Sequence, residues 1–222
     1  ENIDALANLH ALKSGLSIAH SPKLETLSPL SNLIEAGSIS IHNTGLINLD
    51  GLQNATFTSF MITSNPQLTT LDGLYTEAGL ALLEINSNDS LINIDALDSL
   101  ESIWRVVIRN NALLQNLANW PNLSSVGYIK IIDNPALQNL DGLENIEIFT
   151  TNIGFTQNSS STGYTIEIAN NDSLNSLEAL FALNLIGYSD SSIILEDLNT
   201  EDGYNAAQRC GLSIISQVKK AC

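Results

Sequence analysis

Apolar residues fall into three columns that keep step along most of the chain. One contains Leu24, Leu46, Leu68, Leu91, Leu114, Leu137 and Leu174, at intervals of 22, 22, 23, 23, 23 and 37 residues. Three residues further on come Leu27, Leu49, Leu71, Ile94, Leu117, Leu140 and Leu177, and three beyond those Leu30, Leu52, Leu74, Leu97, Trp120, Leu143 and Leu180. Upstream of each set stands an alternating pair: Leu16 and Ile18, Ile39 and Ile41, Phe60 and Ile62, Leu83 and Ile85, Val106 and Ile108, Ile129 and Ile131, Ile166 and Ile168. Alternation predicts a strand with one buried face, and a fixed period predicts a repeat architecture. Strands that recur about every 23 residues stack in parallel, because each coil travels the same way round. That interval is too short for a strand plus a long helix, so turns and short extended pieces complete the coil. The expected fold is mainly β: a parallel β-solenoid of about eight leucine-rich coils of 22–24 residues.

Polar residues recur in step with the apolar ones. Asn43, Asn65, Asn88, Asn111, Asn134 and Asn171 form a column that Ser21 begins in the first coil. Asn at a repeated tight turn bonds backbone groups of its own and neighbouring coils and tolerates left-handed geometry. A structural ladder is therefore expected; the alternative is a row of amides open to a ligand. Asp-Gly or Asp-Ala pairs at Asp4, Asp50, Asp72, Asp95 and Asp141 read as turn formers.

The pattern LxIxxNxxLxxLDGLxNLxxI, as in ISIHNTGLINLDGLQNA and IKIIDNPALQNLDGLENI, resembles the receptor L-domain family. That family is a leucine-rich-repeat relative found in insulin- and growth-factor-receptor ectodomains, with similar repeats in microbial surface proteins. The resemblance runs from about Ile3 to Leu198. It implies a right-handed coil stack and extracellular recognition of a ligand or partner, without identifying either. A Cys-rich module, disulfides within the coils, and a kinase or membrane segment are all missing, so receptor-type signalling is not expected.

The repeat breaks in two places. The 37-residue interval carries an excess in 147–163, around TTNIGFTQNSSSTG, which reads as a protruding loop with Phe155 at its centre. Such insertions map to loops, often on the binding face. After Leu198 the register ends, and 199–222 reads as a C-terminal cap containing a helix, leaving 1–198 as the solenoid. Cys210 and Cys222 lie in that cap. A pair confined to a terminal segment suggests a disulfide clip in an oxidising compartment, with two free thiols as the alternative.

Composition narrows the role. Hydrophobic residues make up 44% of the chain, enough for a core, and aromatics only 5%, so Leu and Ile must build it. No apolar run approaches the roughly 18 residues that span a bilayer. The chain begins at Glu1 without Met, which fits a leader removed in processing. With 24 acidic and 8 basic residues the net charge is −16, which repels phosphate backbones and anionic lipid. Neither nucleic-acid binding nor membrane insertion is expected.

Catalytic chemistry is hard to find. Taking the alternating apolar positions as inward, the outward columns are Ser17, Ser40, Met61, Glu84, Val107, Lys130 and Glu167; Ala19, His42, Thr63, Asn86, Arg109, Ile132 and Ala169; and Gly15, Ser38, Ser59, Leu82, Arg105, Tyr128 and Thr165. Charged and bulky residues interrupt every column, which argues against an ice-binding array. Glu84 and Glu167 lie coils apart, too far for paired acid–base work. His20 and His42 follow equivalent strands in adjacent coils, but no third ligand stands in register, so they read as solvated imidazoles and no metal or cofactor is expected. One anomaly remains: Arg105, Arg109 and Lys130 cluster on one face with Tyr128 and Glu84. Arg and Tyr are favoured at interface hot spots; the alternative is local pairing with nearby acids. Of the NxS/T sites at Asn54, Asn88, Asn122, Asn158 and Asn171, the one in the inserted loop, Asn158, is the expected acceptor.

The expected role is a non-enzymatic recognition module, secreted or at the cell surface. Its expected partner is an extracellular protein held by the strand face and by the insertion loop with Phe155. A carbohydrate-binding adhesive module and a structural spacer are the alternatives.

Overall fold

The structure is a computed structural model that describes residues 2–75, 79–118, 120–149, 165–181, 183 and 192–196. Its strands are β1 (Ala11–Leu12), β2 (Leu16–Ser21), β3 (Glu35–Ala36), β4 (Ser38–Thr44), β5 (Ser59–Thr63), β6 (Gly79–Asn86), β7 (Ser102–Arg109), β8 (Ser125–Ile132), β9 (Ile148–Phe149), β10 (Thr165–Ala169) and β11 (Ser192–Glu196). Among the described residues one short helix, α1, spans Glu178–Phe181. The main sheet runs β11-β10-β8-β7-β6-β5-β4-β2, and every pair in it is parallel. The chain is thus mainly β and winds as a parallel β-solenoid.

Register follows the alternating apolar pairs. Leu16 pairs with Ile39, Ile39 with Phe60, Phe60 with Leu83, Leu83 with Val106, Val106 with Ile129 and Ile129 with Ile166. Identical columns share one interior, and from Leu27 to Leu143 the leucines spaced by three are almost all fully buried. No single coil can cover its own apolar face, so stacking supplies the stability. Trp120 replaces Leu in the third column and is fully buried, at φ 39°, with its indole Nε1 buried and without a hydrogen-bond partner.

The turn after each leucine pair depends on one residue. Where the sequence reads Asp-Gly, the glycine takes positive φ: 122° at Gly51, 90° at Gly73 and 99° at Gly142. A Cβ at Gly51 would collide with the Leu27 carbonyl one coil below. Where Ala or Pro stands there, at Asp4–Leu6, Ser28–Leu30 and Asp95–Leu97, the chain closes a 3-10 turn. These residues lack glycine's access to positive φ. A side chain two residues upstream fixes the turn by accepting from the backbone: Asn48 from Asp50 N–H, Thr70 from Asp72, Asn139 from Asp141 and Ser176 from Glu178.

At the corner after each strand, two polar residues divide the work. The first is left-handed, with φ between 53° and 58° at His20, Asn43, Ser64, Ser87, Asn110, Asp133 and Asn170. The second turns inward. Oδ1 of Asn65, Asn88, Asn111, Asn134 and Asn171 accepts, at 3.0–3.1 Å, from the backbone N–H of the equivalent residue one coil earlier. Nδ2 of Asn111 donates to the carbonyls of Ile85 and Arg109, and Nδ2 of Asn171 to those of Ile131 and Ala169. The second-coil member of this row is Thr44, not Asn43: Thr44 N–H and Oγ1 both donate to Asn65 Oδ1, and Thr44 pairs with Ser21. Asn43 sits at the left-handed position instead, because two adjacent polar residues compete for one corner and spacing alone does not rank them.

The described insertion boundary also differs from the expected 147–163. Glu147 N–H donates to the Ser124 carbonyl, and β9 pairs with the start of β8 through Ser125–Ile148 and Val126–Phe149. These residues therefore continue the coil. The remainder of the insertion, Phe155, Asn158, the 199–222 cap, Cys210 and Cys222 lie outside the described residues.

Candidate functional site

Parallel stacking brings the outward residues of β6, β7, β8 and β10 into one patch. Glu84 pairs with Val107, Val107 with Lys130, and Lys130 with Glu167. Alongside runs the register Leu82–Arg105–Tyr128–Thr165, and on the other side Asn86–Arg109–Ile132–Ala169. Neighbouring strands lie about 4.8 Å apart, within reach for long side chains.

The basic cluster resolves into three different arrangements. Arg109 Nη2 donates to Glu84 Oε1 at 3.2 Å, and Arg109 Nε is buried without a hydrogen-bond partner. Lys130 Nζ lies 2.9 Å from both carboxylate oxygens of Glu167, with both side chains about one-quarter exposed. Among the described residues no carboxylate pairs with Arg105, whose guanidinium lies 5.2 Å above the centre of the Tyr128 ring. Such a contact is worth about 0.5–1 kcal/mol at an exposed site. Val107 points outward among these charges yet is only 4% exposed, which follows if the long stems of its neighbours cover it. Arg109, Glu84, Lys130 and Glu167 therefore form a packed, self-neutralising group, and Arg105 carries the positive charge left over.

Trp104 adjoins this patch along β7, though the outward columns of the alternating pairs do not include it. It precedes Arg105 in β7, is half-buried, and falls between Ala81 and Gly127 in the flanking registers. The signal was in the sequence: a large aromatic on the strand, beside positions holding only small residues. Two aromatics and an arginine thus share one end of the β7–β8 face.

The insertion is rooted at the same place. Val126 pairs with Phe149 and Tyr128 with Thr165, so two positions that Gly127 alone separates in β8 are separated by residues 150–164 in the sequence. Phe149 and Thr165, the described residues that flank the insertion, therefore lie on either side of Gly127 in the register, with Thr165 beside Tyr128. Sequence placed the insertion near the sixth interval but not at this point of the face.

Elsewhere the described residues offer little chemistry. They contain no group of three or more His, Cys, Asp or Glu side chains placed to hold a metal ion. Glu84 and Glu167 are three strands apart, each engaged with a cation. The five asparagines of the row are committed to backbone bonds, and Asn88 and Asn171 are buried, which closes those two sequons to modification. Asn122 is exposed, and Asn54 is exposed with Nδ2 donating to the Ser31 carbonyl. Among the described residues no helix is long and apolar enough to cross a membrane. No family model, no curated protein and no solved structure matches this chain.

Proposed function

We propose that this chain is a non-enzymatic extracellular recognition module that binds a protein partner through the β7–β8 face and the inserted segment. On this reading it is a right-handed, receptor L-domain-like stack of about eight coils, capped by 199–222. The observation that carries the proposal is the coincidence at Tyr128. The cation without a carboxylate, the two aromatics and both roots of the insertion meet there, while the rest of the charged patch is internally neutralised. Interface hot spots are enriched in Trp, Tyr and Arg, and an acidic segment of a partner would find in Arg105 a cation that no carboxylate pairs with among the described residues. Solvent-exposed insertions on rigid scaffolds commonly carry binding.

A glycan ligand is the second reading, favoured by Trp104 and Tyr128 as stacking surfaces. One experiment separates the two. The wild-type chain and an Arg105→Ala/Tyr128→Ala variant are applied to an array of extracellular proteins and to a glycan array. Protein hits lost in the variant support the proposal; hits confined to the glycan array and lost in the variant favour sugars. Hits that survive the double substitution place binding elsewhere.

A further inference from the structure

The far end of the same sheet holds two of the chain's three histidines side by side. Ala19 pairs with His42, which puts His20 one diagonal step from it across the β2–β4 boundary. Their ring centroids are 5.0 Å apart with planes at 85°. His20 is exposed and His42 half-buried. Around them the outward positions hold Ser17, Ala19, Ser40 and Thr63, with Met61 paired to Ser40 on the far side of His42.

His20 also departs from its own column. The other left-handed corner residues are Asn, Ser or Asp, at Asn43, Ser64, Ser87, Asn110, Asp133 and Asn170. His shares with Asn and Asp an enrichment at positive φ, so backbone strain alone does not single it out. What the imidazole adds is a ring beside a second ring.

We propose that His20 and His42 form a two-imidazole site for a borderline divalent transition metal such as Cu(II), with water completing the coordination. Metal–imidazole bonds are about 2.0–2.1 Å long, so two rings sharing one ion at tetrahedral or square-planar angles have centroids roughly 4.5–5.2 Å apart. The observed separation lies inside that window. Edge-to-face packing must give way to rotation about χ2 so that one nitrogen of each ring faces the ion, and the exposed ring of His20 has room to turn. Neutral imidazole suits Cu(II), Ni(II) and Zn(II), with Cu(II) the tightest of these. Hard cations such as Ca(II) require oxygen ligands. A net charge of −16 raises the local concentration of any divalent cation.

The test uses the whole chain and Cu(II) alone, in a buffer that does not coordinate metal. Titration is expected to show one saturable equivalent, with electron paramagnetic resonance reporting two equatorial nitrogens. His20→Ala and His42→Ala should each weaken binding at least about tenfold, because the second ligand acts at the high effective concentration set by the scaffold. The double variant should lose little more than either single one. His10→Ala should leave affinity unchanged, since His10 lies apart with Nδ1 2.7 Å from the Asn8 carbonyl oxygen. Circular dichroism of each variant separates loss of ligand from loss of fold. Absence of saturable Cu(II) binding, affinity unchanged by either single substitution, or a spectrum with one nitrogen ligand would each overturn the proposal. None of these outcomes bears on binding at Tyr128, at the other end of the face.

Discussion

At the corner of the solenoid, Asn65, Asn88, Asn111, Asn134 and Asn171 repeat the same residue in the same bonds from coil to coil. A few residues earlier in each coil, Met61, Glu84, Val107, Lys130 and Glu167 occupy one register and change with every coil. Both rows are stacked at the spacing of a parallel sheet. They differ in what their environment demands. A buried corner exposes the same unpaired backbone groups each time, and only an amide supplies an acceptor and two donors together. Solvent demands nothing of the outward row, so its residues are free to differ. On a repeat protein, uniformity marks what the scaffold needs, and departure from it marks where to look for recognition.

Removing one member of each row should separate these roles. Asn111→Ala strips the partner from Asn88 N–H and from the Ile85 and Arg109 carbonyls, all at a corner where Asn88 and Asn111 are fully buried. Each unsatisfied buried group costs about 1–3 kcal/mol, so with three groups stripped the expected loss is about 3 kcal/mol or more, read as a lower urea midpoint with unchanged m-value. A loss as small as that of a surface substitution would erase the distinction between the rows.

Lys130→Met tests the outward row. It leaves Glu167 part-buried and unpaired, and the expected cost is at most about 1 kcal/mol, as for exposed ion pairs. Wild type and variant should also converge as salt rises, because the pair is screened. A larger, salt-insensitive loss would mean that the strand face is structural as well.

The smallest effect is expected at the turns, where repetition places like charges together. Asp50, Asp72 and Asp95 follow one another in successive coils, and the Asp95 carboxyl is raised above its ordinary value of 3.8 by desolvation, then by the charges of Asp98 and Asp72. Because the folded state holds this proton more tightly than the unfolded one, stability falls as pH rises from about 3.8 through the raised value. Asp95→Asn should therefore match wild type near pH 3 and melt slightly higher at pH 7, with the gain damped by solvent. An equal gain at both pH values would point away from the carboxylate charge.

The windings, their parallel direction and the inward columns were legible in the sequence, because burial of Leu and Ile at fixed spacing leaves few other solutions. The ladder was legible as a column but not in its phase: Asn43 and Thr44 are both polar, and only hydrogen bonding shows that Thr44 carries the ladder and Asn43 the left-handed turn. The basic cluster was visible as Arg105, Arg109 and Lys130, yet the pairing of Arg109 with Glu84 and of Lys130 with Glu167, with no carboxylate on Arg105 among the described residues, was not. Glu167 meets Lys130 because β10 pairs directly with β8, although 37 residues of sequence lie between the two side chains.

Sequence by itself determined that this chain is a parallel β-solenoid with periodic buried leucines and an excess of acidic residues, since periodic burial and net charge are properties of the string. Tertiary structure decided which outward side chains meet. It set Trp104, Arg105 and Tyr128 at the root of the insertion, and His20 beside His42. Neighbours across a parallel sheet are separated by a whole coil of chain, and a shift of one residue in register would exchange every outward side chain for an inward one.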